Sequence, residues 1–442
     1  MAPREAPPAA LEPLSAEDLA ILRLESATVA GHTLKVAILD RSLKEGRPDV
    51  KALRARLAAR IERVPRLRRR LLMRSNRRAA WVDDPDFDVR DHVRAVPVSG
   101  ALSDDDLRRI CARMMEERLD RSTQLWTLDL FDPLESGGIA LVWRLHHSMA
   151  DGAMAMRLAE EVLWDSGDVA KARSASGKHS GASPDFREAL EARRPGRLPG
   201  TLRRELSRNR QSSPFEGVVG TRRTVTFASI PLGALKRAGS ALVPGATVND
   251  VVLALVGAGL RRWAESRGNA LADLRVKIPV SLHSRTESPE TANRDSFFCV
   301  ALPVAERDPI ERLRRINEET ALRKRVGDAQ VLDTLLRDVA RVAPPLRRLL
   351  DRLLVHPQAF ALNVSNVIGP AYRPTVLGAP VRAFYSIADV DHQHGLRVAV
   401  ISMAGELHFG LCADPVIVGN LDSLAEGILA EAASFADRSP PP

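Results

Sequence analysis

Leu141–Leu163, "LVWRLHHSMADGAMAMRLAEEVL", decides how the chain is read. The apolar run "GGIALVWRL", entered through Gly137 and Gly138, has the length and composition of a buried strand. The polar stretch "HHSMADG" that follows has no strand alternation. Met154, Leu158 and Val162 then recur at four-residue intervals, with Ala155, Ala159 and Leu163 beside them, as one face of a helix. His146 and His147 therefore stand where a strand gives way to a loop before a helix. A junction of that kind holds its backbone rigidly while its side chains face a cleft.

The rest of the chain alternates in the same way. "DVKALRARLAARIERV" sets Val50, Leu53, Leu57, Ile61 and Val64 at helical spacing behind Asp49 as a cap, and "SDDDLRRICARMMEERL" starts on Ser103 with three acids in the first turn. "TVNDVVLALVGAGLRRWAES" reads as a buried helix. Strands are predicted at "TLKVAIL", "WTLDLF" and "IALVWRL", then at "RVKIPVSL", "FFCVALPV", "ALNVSNV", "LRVAVISM" and "GELHFGLCAD". Helices and strands mix in both halves, which predicts an α/β fold of two layered domains.

At 442 residues the chain exceeds what one core usually serves. Between Lys171 and Arg210 lie 11 Lys/Arg against 4 Asp/Glu, within Ser-, Gly- and Pro-rich sequence, so most of the net charge of +9 is local. This composition predicts a basic, partly disordered linker over residues 166–217 with one basic helix around Gly200 to Arg208. It separates an N-terminal domain (1–165), which carries HHSMADG, from a C-terminal domain (218–442). Cys111, Cys299 and Cys412 are too scattered for a disulfide framework or a zinc site and read as buried thiols. The N-terminus lacks a basic start and apolar core of a secretory signal, and no run is long and apolar enough to span a bilayer, so a cytoplasmic protein is expected. Aromatic residues are only 4% and no base-reading module is seen, which argues against nucleic acid as the anionic partner.

An imidazole with an ordinary pKa of ~6.5 is largely neutral near pH 7 and accepts a proton from a hydroxyl or thiol, which makes His147 the candidate base. Asp151, near a helix start, serves equally to orient the ring or to brace the loop through helix N–H groups. No nucleophile elbow of the G-x-S-x-G kind is present, so direct attack by a substrate hydroxyl is favoured over a covalent enzyme intermediate. The chemical rival is a metal held by His146, His147 and Asp151, although neighbours in extended chain point to opposite faces. "DVDHQHG" offers a second such set in His392 and His394 with Asp389 and Asp391, against the plainer reading of a polar loop.

These residues bring a family into view. The chain resembles the bacterial wax ester synthase/diacylglycerol acyltransferase family, CoA-dependent acyltransferases that share the HHxxxDG motif with peptide-synthetase condensation domains. The resemblance runs through "PLSAEDLAILRLES", "RVPRLRRRLL", "STQLWTLDLFDPLESGGIALVWRLHHSMADG", "GATVNDVVLALVGAGLRRW", "LRVKIPVSLHSR", "LNVSNVIGP" and "GELHFGLCADP". It implies two chloramphenicol-acetyltransferase-like domains facing each other across a central channel. It further implies His147 as general base, His146 and Asp151 as keepers of the loop, and Gly152 as the point where backbone approaches the channel. Asn249 and Asp250 match an Asn-Asp motif at the domain interface; Asn249 is the candidate oxyanion donor, and Asp250 is placed with the substrate-binding residues. Trp126 matches the end of a Pro-Leu-Trp motif in which Gln124 replaces the proline. Ser365 and Asn366 belong to "SNVIGP", where the family has "SNVPGP", a segment expected to line the acyl or acceptor channel.

The implied reaction moves a long-chain fatty acyl group from acyl-CoA to diacylglycerol or a fatty alcohol, with no cofactor and acyl-CoA as substrate. Condensation-type transfer to another acceptor and a non-catalytic lipid-body protein remain the alternatives. The basic linker and "RLRRRLLMRSNRR" (Arg66 to Arg78) suit peripheral contact with an anionic membrane or lipid body, each cation contributing about 1 kcal/mol, or else are simply solvated.

Overall fold

The computed structural model describes residues 11–40, 48–74, 78–165, 198–207, 213–282, 295–354 and 356–438. Most of the predicted linker, 166–197 and 208–212, lies outside them. Its one described helix, Leu198–Glu205, is docked: Thr201 and Arg204 bind Asp328, and Glu205 is buried against Arg275 and Arg323.

Two six-stranded sheets dominate, with a three-stranded sheet (Leu11–Pro13, Arg78–Asp83, Arg69–Arg74) at one side. The second sheet runs Asp295–Leu302, Leu274–Ser281, Leu362–Ile368, Leu396–Met403, Glu406–Ala413, Thr224–Pro231. Leu362–Ile368 is parallel to both its neighbours, and the other pairs are antiparallel. One face packs on the helix Val248–Glu265, whose residues Asp250 to Leu260 are all buried. A helix that is apolar all round needs cover on every side, and the Pro309–Val326 and Asp422–Asp437 helices supply it.

The first sheet runs Thr375–Val376, Ala379–Ala388, His32–Leu39, Ile139–His146, Trp126–Phe131, Val93–Ala95. Here the sheets depart from the predicted division at Val218. Ala379–Ala388 leaves the second half of the chain and pairs antiparallel with His32–Leu39, so residues placed in the 218–442 domain complete the first sheet. None of the ten Ala379–Ala388 positions is exposed, seven being buried and Pro380, Arg382 and Tyr385 half-buried, so both faces of the strand find cover. At Gly410 the two sheets nearly touch: a Cβ there would lie 2.1 Å from the Ser386 carbonyl oxygen, so only glycine fits.

Local signals read from sequence act as local chemistry. Asp49 accepts from Ala52 N, Ser103 forms a reciprocal box with Asp106, and Thr247 does the same with Asp250. The Asp104–Glu116 helix then lies between the sheets, joining Leu34, Val36, Ala140 and Val142 of the first to Val225 and Cys412 of the second. The three cysteines are free and buried, and burial pushes the Cys111 and Cys299 thiols up to about 12.

Candidate active site

The Ile139–His146 strand ends opposite His32, where its antiparallel neighbour begins. His147 to Met149 turn, and Asp151 starts the Gly152–Val162 helix by accepting from Met154 N at 2.7 Å. The two histidines then serve different neighbours. The His146 ring is buried, with Nδ1 2.7 Å from Ser148 Oγ and Nε2 2.5 Å from Glu25 Oε1, while Arg121 holds the other side of Glu25 at 2.7 Å. Burial alone would raise the Glu25 pKa, but the hydrogen bonds from His146 and Arg121 outweigh it and the carboxyl is held below its usual value.

His147 is half-buried, and its backbone N–H donates to Gly31 O at 2.9 Å. Burial, then the Arg397 guanidinium, drive its pKa down to about 4; Asp151 pulls the other way by more than the Lys35 ammonium adds, without reversing the shift. The ring is therefore neutral near pH 7 and able to accept a proton. Lys35 is itself buried, donating to Ser386 Oγ at 2.6 Å on the crossing strand, and burial with the nearby Arg397 lowers its pKa to about 8. The field at the imidazole is thus positive from Arg397 of the second sheet and Lys35 of the first, with the Asp151 carboxylate opposing them.

Gly152 closes the loop against the second half, where a Cβ would come 2.7 Å from Val367 Cγ2. Val367 and Ser365 lie on the face of their strand opposite Val364, a core residue of the second half. Asn366 shares the Val364 side, so of the two adjacent candidates only Ser365 is turned with Val367 toward the first half. Asn249 is half-buried in the first turn of its helix, and its side chain makes no hydrogen bond to the described residues.

Two candidates have other work. Asp250 is fully buried, and its carboxylate is taken up by Thr247, by Asn317 Nδ2 at 3.0 Å and by Thr320 Oγ1 at 2.7 Å, all within the second half. It caps and ties helices. Trp126 is also fully buried: its indole donates to Leu67 O at 2.8 Å and its ring stacks on His92 at 4.7 Å. Gln124, in place of the family's proline, pairs with His92 and donates to Asp84, so this motif builds the core under the first sheet.

The "DVDHQHG" segment is a turn closed by a bridge between Asp391 and His394. Asp389 accepts from Arg223 and from Ala30 N, His392 lies 3.4 Å from Ser26 Oγ, and His394 stacks on Phe360 with centroids 4.0 Å apart. Among the described residues no three His, Cys, Asp or Glu side chains stand in an arrangement that would hold a metal ion.

Sequence reading missed Glu25, Lys35 and Arg397. A signal existed for the last two: each is a lone cation inside an apolar strand, "TLKVAIL" and "LRVAVISM", and burying a charge is costly unless the site uses it.

The chain is similar to known proteins in sequence and in fold. Residues 14–204 match the profile of the wax ester synthase/diacylglycerol acyltransferase catalytic domain, and 291–434 match that of the WS/DGAT C-terminal domain. A Mycobacterium tuberculosis protein described as a probable diacylglycerol O-acyltransferase is 30% identical over 404 residues, 86% of this chain and 87% of its own. A second from that organism is 30% identical over 363 residues, 76% of this chain and 78% of its own. In fold, the chain is similar to the wax ester synthase/diacylglycerol acyltransferase of Marinobacter aquaeolei VT8, with a TM-score of 0.68 at 24% identity over 96% of this chain and 100% of that one. It is also similar to the first condensation domain of the calcium-dependent antibiotic synthetase, with a TM-score of 0.64 at 18% identity over 98% and 97%. With both family profiles matched in order along most of its length, the chain belongs to the wax ester synthase/diacylglycerol acyltransferase family.

Proposed function

We propose that the protein transfers a long-chain fatty acyl group from acyl-CoA to the hydroxyl of diacylglycerol or a fatty alcohol, with His147 as general base. The observation that carries this reading is the place of His147, in the turn between the Ile139–His146 strand and the helix whose Gly152 meets Val367 of the second half, where burial and the Arg397 guanidinium keep the imidazole neutral. His147 takes the acceptor's hydroxyl proton, and the oxygen attacks the thioester carbonyl. The tetrahedral oxyanion collapses, the C–S bond breaks, and the imidazolium returns its proton to the departing CoA sulfur. No further oxidant, reductant or cofactor is needed for that balance.

The positive field of Arg397 and Lys35 favours negative charge where the oxyanion develops, an effect typically worth ~3 kcal/mol per well-aimed donor. Asn249 is the candidate side-chain donor. His146, through Glu25 and Arg121, and Asp151, through its helix, hold the loop without touching the reacting atoms. Ser365 and the Gly152–Val367 contact mark the wall that the acyl or acceptor chain would follow. Both reactants carry apolar chains, so the reading includes peripheral contact with an anionic membrane surface or lipid body; no helix among the described residues is long and apolar enough to cross a membrane.

The test pairs labelled palmitoyl-CoA with a panel of acceptors: dipalmitoylglycerol, hexadecanol, hexadecylamine and none. CoA release that depends on diacylglycerol or hexadecanol and yields the labelled ester supports the reading. Labelled amide in place of ester would move the acceptor class to condensation-type chemistry, and lipid binding without CoA release would make the protein a carrier.

A further inference from the structure

Across the second sheet, one transverse row is made of Cys299, Lys277, Asn363, Arg397 and Cys412, each in register with the next on five adjacent strands. Every one of them alternates with core residues: Phe298 and Val300, Val276 and Ile278, Leu362 and Val364, Leu396 and Val398, Leu411 and Ala413. The row therefore lies on the face turned away from the Val248–Glu265 helix, with Glu205 of the Leu198–Glu205 helix at its Cys299 end. Its two ends are buried thiols, and its middle is Lys-Asn-Arg. Three hydrogen-bonding side chains in succession at the centre of a sheet are expensive unless something answers them.

Arg397 is answered in part, donating to Asp389 O at 3.3 Å, and it also acts on His147. Lys277 and Asn363 are not. The Lys277 Nζ lies 4.1 Å from the centroid of the Phe297 ring and 5.2 Å from that of Phe360, and among the described residues no carboxylate comes within ion-pairing distance of it. The Phe360 ring is fixed from its other side by the stacked His394. Asn363 Oδ1 is buried and takes no hydrogen bond. Lys277 is half-buried. Burial lowers its pKa, with Asp391 pulling the other way. At the usual strand spacing, Lys277 stands two strands, roughly 10 Å, from Arg397.

We propose that Lys277 and Asn363, walled by Phe297 and Phe360, form a subsite for an anionic oxygen group, phosphate or carboxylate, on a substrate whose reacting end lies at His147. Aromatic walls hold the ammonium by cation–π attraction while leaving its donors free, and an incoming anion supplies the charge-assisted bonds that are missing. The amide of Asn363 offers its NH2 to the same group; its buried Oδ1 is an acceptor, which the anion does not answer. Two sources carry such a group: the phosphates of CoA and an acidic acceptor. This proposal rests on the acyltransferase reading for the identity of the substrates, but its test does not require turnover.

The experiment is calorimetric binding of two non-reacting probes, S-hexadecyl-CoA and monohexadecyl phosphate, with hexadecanol as the uncharged control. Proteins are the wild type, Lys277→Met, Lys277→Arg and Asn363→Asp. Lys277→Met is expected to weaken one charged probe by about 10-fold or more, Lys277→Arg to retain most of that affinity, and hexadecanol to be unaffected. Weakening confined to S-hexadecyl-CoA assigns the site to CoA, and weakening confined to the alkyl phosphate assigns it to the acceptor. Asn363→Asp leaves the lysine in place and adds a negative charge, so it is expected to weaken the same probe; it decides the matter should Lys277→Met not fold. Unchanged affinity for both charged probes in folded variants overturns the proposal. Loss of affinity in a protein that transfers no acyl group would keep the subsite and remove only the reaction.

Discussion

Gly152 and Val367 meet across the two halves so closely that a Cβ on Gly152 would lie 2.7 Å from Val367 Cγ2. The glycine that ends HHSMADG is needed for this approach of backbone to side chain. A β-branched valine has little freedom to swing away. Gly152→Ala is expected to cost about 1–3 kcal/mol through overpacking and to lower kcat as the loop shifts. In Gly152→Ala/Val367→Ala, the added methyl enters the space vacated, and thermal stability should return toward wild type. If the second substitution adds to the loss, the contact is not the cause.

Replacing the two histidines separates chemistry from support. His147→Ala should lower kcat by ~10² or more with an unchanged melting curve. His146→Ala leaves buried Glu25 with one partner fewer, a loss of about 1–3 kcal/mol in stability, and reduces activity through the loop. A double-mutant cycle with Glu25→Gln reads the pair directly. Full turnover in His147→Ala would exclude it as the base.

The pH dependence follows from the direction of the shifts. With the His147 pKa near 4, the base is ready throughout the neutral range, so kcat should stay level from about pH 8 to about 5 and fall as pH drops toward 4. Stability has the same sign. Burial holds the pKa of His32 near 3 and of His408 near 4, like His147, against an unfolded value near 6.5. Their contribution is present above about 6.5 and is lost as pH falls through about 4, because the unfolded chain binds the protons first. Urea midpoints measured at pH 7, 6 and 5 should fall in that order, and less so in a variant with His408 replaced by asparagine.

Arg223 and Asp389 form a buried ion pair that fastens the end of the crossing strand to the loop before the first sheet. The carboxylate also accepts from Ala30 N, and the guanidinium donates to Thr28 O and Gly220 O. Arg223→Met strands the aspartate in the interior and should destabilise by about 3–5 kcal/mol. Arg223→Met/Asp389→Leu should recover part of that loss in a denaturant titration. Equal instability of single and double variants would show that the bonds to the loop matter more than the charges.

The sequence by itself determined what near neighbours along the chain decide. Asp49, Ser103 and Thr247 cap helices because each needs only the next three residues, and the HHSMADG turn falls between strand and helix because the apolar period changes there. Those local rules also located His146, His147, Asp151 and Gly152. Only tertiary structure decided which motif residues meet. Asp250 and Trp126 sit in recognisable motifs, yet packing spends one on tying helices and the other on the first core. Glu25 comes to His146 from 121 residues away, and Lys35 and Arg397 come to His147 from 112 and 250 residues away, from three different parts of the fold. The strand Ala379–Ala388 chose the first sheet over the second because strand pairing is a competition among surfaces far apart in sequence, settled by which faces are buried when all of them fold together.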